Sequence, residues 1–153
     1  MKRLFLLLGV GAMFFGCSRD AAFDRFALTK EQKLAENSIL STKITYKEHI
    51  NGVANVVYLN EIEPNKYKDK EYFYIYLYLK GEDQKLTFLL NKHHPLQVTQ
   101  LPAKNQFSDL VSFRAPWSQY YLVVFAHQKQ DKLYLKIKNK QYTSEKLYFE
   151  KDK

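Results

Sequence analysis

The segment Tyr72-Phe73-Tyr74-Ile75-Tyr76-Leu77-Tyr78-Leu79 decides the fold class of this 153-residue chain. Successive side chains of a β-strand point to opposite faces of a sheet, so the four tyrosines share one face and the other four residues share the second. The aliphatic face predicts contact with a hydrophobic core. The pattern therefore predicts a strand over 71–80.

The same period-two pattern recurs along most of the chain. It predicts further strands over 42–50, 53–60, 85–91, 96–101, 119–126, 132–139 and 144–150. Asn51-Gly52 between the first two predicts a type I′ hairpin turn, because both central residues of that turn need positive φ. Thr29, followed by Gln32 three residues later, predicts the capping box of one short helix over 30–36.

Strands of this number and spacing predict an all-β protein. About eight short antiparallel strands favour an immunoglobulin-like β-sandwich with one short N-terminal helix, and a small barrel stays open as the alternative. Trp117 and the aromatic residues near it are expected to fill the core. The cysteine pair that flanks a tryptophan in immunoglobulin domains is absent, because Cys17 is the only cysteine.

The first 18 residues have the layout of a secretory signal peptide. Met1-Lys2-Arg3 is basic, the 12 residues 4–15 are apolar, and Gly16-Cys17-Ser18 follows. Twelve residues make about 18 Å of helix, whereas a bilayer core is about 30 Å thick, so a membrane-spanning segment is disfavoured. A cut after Ser18 and an uncleaved segment remain alternatives to the cleavage described next.

A small residue directly before a cysteine resembles the lipobox of bacterial lipoproteins. The resemblance implies cleavage between Gly16 and Cys17, and a covalent lipid on Cys17 (one diacyl lipid group on its sulfur and one acyl chain on its new amine). Ser18, where aspartate would imply retention at the inner membrane, implies the outer membrane of a Gram-negative envelope. The overall layout is also similar to that of small immunoglobulin-like envelope lipoproteins.

These features divide the chain into a signal peptide (1–16), a lipidated tether (17–28) and one β-sandwich domain (29–153). Without residues 1–16 the chain has 22 basic and 16 acidic residues, and residues 85–153 hold 12 basic against 5 acidic. A basic half can dock on anionic lipid or polyanions, although solubility alone explains such composition as well. No nucleic-acid-binding motif is present, so we expect no nucleic-acid partner.

The row Tyr72, Tyr74, Tyr76 and Tyr78 is the candidate binding surface. Tyrosines in line can stack on sugar rings, contact a protein or hold a flat ligand. The alternative is ordinary cross-strand packing within the sheet.

A second row, Lys136, Lys138 and Lys140, is the candidate contact for an anionic surface such as lipid headgroups. Lysines on one strand face also protect an edge strand from aggregation, which is the alternative.

We find no catalytic constellation and expect a non-enzymatic protein. The chain has no G-x-S-x-G elbow and no glycine-rich phosphate loop. His93 and His94 are adjacent and would point apart in an extended chain, so no metal site and no cofactor beyond the Cys17 lipid is expected. The expected function is binding of, or a structural role towards, a protein or envelope component. A small β-barrel carrier of an apolar ligand or lipid is the alternative.

Overall fold

Strands dominate the part of the chain that the computed structural model describes, which is residues 29–81, 85–111 and 115–151 without the side chain of Glu31. The helices are α1 (Lys30–Ser38), α2 (Leu59–Ile62) and a 3-10 helix (Ser108–Leu110). The strands are β1 (Leu40–Tyr46), β2 (His49–Tyr58), β3 (Lys70–Leu79), β4 (Thr87–Leu90), β5 (Gln97–Leu101), β6 (Gln119–Ala126), β7 (Lys132–Lys138), β8 (Thr143–Ser144) and β9 (Leu147–Glu150).

These nine strands form one curled antiparallel sheet. Its order is β4-β7-β8-β1-β2-β3-β6-β5, and β9 pairs with β7 next to β8. The expected all-β, antiparallel class is therefore confirmed. The immunoglobulin-like sandwich is not confirmed, because β8 pairs with both β7 and β1 and so joins the two halves into a single hydrogen-bonded sheet.

Two hydrophobic clusters lie on opposite faces of the central strands. The inner cluster is enclosed by the curl and is built from side chains of β1, β2, β3, β4, β6, β7 and β9, among them Phe73, Ile75 and Leu77. The outer cluster lies under α1, α2 and residues 107–111, and it includes Tyr74 and Tyr120. Strand β3 is therefore packed on both faces, and burying each such large side chain stabilises the fold by about 1.5–3 kcal/mol.

The first hairpin is real, but its predicted turn is wrong. The chain reverses at Lys47 and Glu48, whose φ values are 46° and 70°. Asn51 lies inside β2 as the extra residue of a β-bulge, because Ile44 pairs with Gly52 and the next residue, Thr45, pairs with Ile50.

The capping box of α1 is confirmed. The Thr29 hydroxyl accepts a hydrogen bond from the Gln32 N–H at 3.2 Å, and the Gln32 side chain accepts one from the Thr29 N–H at 2.7 Å. Ala35 of this helix is fully buried and packs in the outer cluster. It thereby covers part of the tyrosine face of β3.

The predicted final strand is divided in two. Thr143–Ser144 pairs with β1 and β7, whereas Leu147–Glu150 pairs with β7 alone. Ser144 is 4% exposed, and its hydroxyl accepts the Ile137 N–H at 2.9 Å where the chain passes from one piece to the other.

Candidate functional site

A shallow cleft of about 250 Å³ lies beside the exposed end of the tyrosine row. We call it the aromatic cleft, and its wall is made by Val53, Asn55, Tyr76, Leu77, Tyr78, Ala115, Trp117 and Ser118. Trp117 is 65% exposed, Tyr78 45% and Val53 41%. Trp117 therefore does not fill the core, so the prediction was wrong for this residue, whereas the nearby Tyr120 is buried.

The register between β2 and β3 places four of the lining side chains together. Val53 pairs with Tyr78 and Asn55 with Tyr76, so all four project from the same face of the sheet. Gly52 lets the two backbones approach closely, because a Cβ at that position would lie 2.4 Å from the Tyr78 carbonyl oxygen. The bulge and Gly52 thus set the position of Tyr78 relative to β2.

A short turn at residues 115–118 brings Trp117 to the same place. The buried Tyr120 hydroxyl donates to the Ala115 carbonyl at 2.9 Å and accepts the Ala115 N–H at 3.1 Å. The Ser118 N–H closes the turn on the Ala115 carbonyl at 3.0 Å. Trp117 is consequently exposed on an anchored turn.

The chemistry of the aromatic cleft suits recognition. Tryptophan and tyrosine offer large apolar ring faces together with a polar tip, and both are enriched at binding interfaces. Burial, with the neighbouring Tyr120, raises the pKa of Tyr76. The cleft combines ring faces with hydroxyl donors.

The full tyrosine row does not form one accessible surface. Tyr74 is fully buried in the outer cluster, where its ring centroid lies 5.1 Å from that of Phe107, and so it cannot contact a ligand. Tyr72 is half-buried and packs 4.9 Å from the Tyr67 ring. Only the Tyr76–Tyr78 end of the row reaches the aromatic cleft, since α1, α2 and residues 107–111 cover the rest.

A larger cleft of about 510 Å³ opens where the curl is not closed. Strands β4 and β5 are the two ends of the strand order, and this seam cleft lies between them. It is lined by Lys85, Leu86, Phe88, Val98, Gln100, Gln119 and Tyr121. Phe88 is 1% exposed and contacts the Tyr121 ring at 5.4 Å, so the floor of the cleft is the inner cluster itself.

A basic groove of about 780 Å³ adjoins the seam cleft. Its lining is Lys85, Thr87, Lys138, Asn139, Lys140 and Gln141, so Lys85 belongs to both. The lysine row predicted from the sequence is only partly in place: Lys138 and Lys140 line the groove, while Lys136 does not. The edge-strand explanation for these lysines is wrong, because β7 is paired on both sides.

A cluster around Glu71 escaped the sequence reasoning. Glu71 is 1% exposed and accepts the Tyr58 hydroxyl at 2.5 Å, the Gln128 N–H at 2.8 Å and Lys151 Nζ at 2.6 Å. His127 Nδ1 lies 3.2 Å from the same carboxylate. The Glu71 oxygens are already hydrogen-bonded and shielded from solvent. Glu71 therefore links β3 to the loop after β6 and to Lys151, the residue after β9.

The remaining predictions concern the N-terminal segment, membrane-spanning helices and metal sites. Gly16, Cys17 and the tether fall outside the described residues. Within the described ranges, no helix is long and apolar enough to cross a membrane. Over that same part of the chain, no group of three or more His, Cys, Asp or Glu side chains could hold a metal ion.

No protein-family model, curated protein or solved structure matches this chain. The fold and its clefts define a mostly-β protein with two separate candidate binding surfaces, the aromatic cleft and the seam cleft with its basic groove.

Proposed function

We propose that this chain is a lipid-anchored protein of a Gram-negative cell envelope that binds a protein or another envelope component through the aromatic cleft, without catalysis. The observation that carries the binding role is the clustering of exposed apolar side chains. Val53, Tyr78 and Trp117 are three of the eight large hydrophobic residues exposed among the described residues, and they line one cleft. Scattered exposed hydrophobics need no explanation, but a cluster marks an interaction site.

Residue type supports the same role. Tryptophan and tyrosine are the side chains most often found to dominate binding energy at protein interfaces. Here they stand on a paired strand and on an anchored turn, so little conformational freedom is lost when a partner binds.

The anchor part of the proposal rests on Gly16-Cys17-Ser18. Labelled palmitate fed to the producing bacterium should appear in the wild-type protein and vanish in Cys17→Ala. Absence of label from both would remove the anchor and leave a secreted binding protein as the proposal.

The binding part is tested by crosslinking in living cells. We expect the wild type to give a defined crosslinked partner that is lost in Tyr78→Ser/Trp117→Ser. Tyr148→Ser is the matched control, because Tyr148 is 66% exposed and lines neither cleft. Equal capture by all three proteins would exclude the aromatic cleft as the binding surface.

A second candidate function, a carrier of an apolar ligand, is favoured by the seam cleft. Its volume of about 510 Å³ lies within the range of roughly 300–1,000 Å³ typical of small-molecule sites. Val98, which is 45% exposed, and the half-buried Leu86 give it apolar walls that water solvates poorly.

A further inference from the structure

The seam cleft and the basic groove adjoin each other, and together they present two chemical ends. The end formed by Leu86, Phe88 and Val98 is apolar and reaches the inner cluster. The other end is formed by polar side chains and lysines. Lys85 belongs to both linings and joins the two ends.

Among the described residues, every charged side chain that lines the polar end is basic. Lys85, Lys138 and Lys140 are all exposed, and no Asp or Glu among the described residues lines either the cleft or the groove. Clefts lined by one sign of charge raise the local concentration of the opposite charge. The polar end therefore favours an anionic group.

The geometry points to a single-chain amphiphile with an anionic head, such as a long-chain carboxylate, as the ligand of this surface. The acyl chain lies in the seam cleft against Phe88 and Val98, and the head meets Lys85 and Lys138. This inference rests on the second candidate function and names the class of ligand that such a carrier would hold. It also explains why the exposed apolar side chain of Val98 shares a cleft with Lys85.

Photoactivatable palmitate and its methyl ester are the two probes. Both carry the same chain, and only the acid carries the charge. The full-length protein is labelled over a range of probe concentrations, and mass spectrometry of its peptides locates the label. We expect the palmitate probe to label β4 and β5. The methyl ester should need a roughly tenfold higher concentration to reach the same labelling, which is the upper range for two exposed charge contacts.

Charge-matched variants separate a specific contact from general attraction. Lys85→Gln/Lys138→Gln should raise the half-saturating concentration of the acid roughly tenfold and leave the ester unchanged. Lys132→Gln/Lys136→Gln removes the same charge from β7 outside both linings and should change neither probe.

The apolar end has its own pair of variants. Val98→Asp should abolish label from both probes, because it puts a carboxylate on the wall of the seam cleft. Leu96→Asp is the control, since Leu96 is 61% exposed and lies outside the lining. Thermal melts show that each variant is folded.

These outcomes test the anionic head of the ligand and the carrier function separately. Equal labelling by acid and ester that only Val98→Asp removes would overturn the anionic head and keep an apolar carrier. Labelling that Val98→Asp leaves intact, or none at β4 and β5, would overturn the carrier and the ligand class together.

Discussion

Replacing Glu71 by glutamine should destabilise the fold by about 3 kcal/mol. The carboxylate is 1% exposed and accepts hydrogen bonds from Tyr58, Gln128 and Lys151, which come from three separate parts of the chain. Glutamine has nearly the same shape, so the substitution removes charge and one acceptor oxygen without opening a cavity.

The magnitude follows from the partners that remain. The new amide oxygen can still accept one or two of the three bonds, but the amide NH2 group must face either the Tyr58 hydroxyl or the Lys151 ammonium. A hydrogen bond to a charged group is worth about 1.5–3 kcal/mol, and breaking a buried ion pair costs about 3–5 kcal/mol. Lys151 is 18% exposed and keeps some contact with water, which places the expected loss at the lower end.

The pH dependence has a definite sign. Burial alone raises the pKa of Glu71, but the hydrogen bonds from Gln128, Lys151 and Tyr58 outweigh it and hold the pKa below its usual range. A lowered carboxyl pKa adds stability above the pKa of the unfolded chain, about 4.3, and this contribution is lost as pH falls through the folded pKa. The gap between wild type and Glu71→Gln should be full at pH 7 and shrink below about pH 4.

Urea unfolding at pH 7 and at pH 3, followed by circular dichroism, measures both effects. Glu63→Gln is the matched control, because Glu63 pairs with Lys66 at 2.7 Å while both side chains are well exposed. Such a pair contributes about 0–1 kcal/mol, so this variant should unfold close to the wild type. A Glu71→Gln protein as stable as the wild type at pH 7, or a gap unchanged at pH 3, would refute the reasoning.

Four further substitutions test the packing around the aromatic cleft and the outer cluster by thermal melting. Gly52→Ala should destabilise by about 1–3 kcal/mol, because its Cβ meets the Tyr78 carbonyl. Tyr74→Ser should cost about 3–5 kcal/mol, whereas Tyr78→Ser should stay within about 0.5 kcal/mol, since only the first is buried. Tyr120→Phe should cost about 1–2 kcal/mol by releasing the 115–118 turn, and Trp117 fluorescence anisotropy should fall.

Strand positions were predictable because side-chain alternation is local. The predicted and observed bounds agree for 119–126 and differ by one residue for the strand containing Tyr76. The hairpin turn was not predictable in the same way. Asn-Gly is the strongest short turn signal, yet Gly52 is needed in β2 because Tyr78 of β3 approaches it, and that neighbour is distant in sequence.

The candidate site was predictable in part, for the same reason. The alternation placed Tyr76 and Tyr78 on one face correctly, but which of the tyrosines is covered depends on where α1 and residues 107–111 dock. Trp117 shows the limit most clearly, since an aromatic residue in an irregular segment carries no periodicity to say which way it points. The exposure of Trp117 follows from the hydrogen bonds between Tyr120 and Ala115, and no local sequence pattern predicts these bonds.

The two clefts lie on opposite faces of one sheet: the aromatic cleft is built on β2, β3 and the 115–118 turn, and the seam cleft on β4, β5 and β6. Neighbouring residues of β6 serve different faces: Tyr120 packs in the outer cluster beneath the aromatic cleft, and Tyr121 lines the seam cleft. Since β3 and β6 are paired over eight positions, substitutions at exposed tips on one face should leave the other face in place. Tyr78→Ser/Trp117→Ser should therefore label with photoactivatable palmitate like the wild type, and Lys85→Gln/Lys138→Gln should still capture the crosslinked partner. If Tyr78→Ser/Trp117→Ser lost palmitate labelling, or if Lys85→Gln/Lys138→Gln lost the crosslinked partner, the two surfaces would belong to one binding event. The sheet between them would then transmit the change from one face to the other.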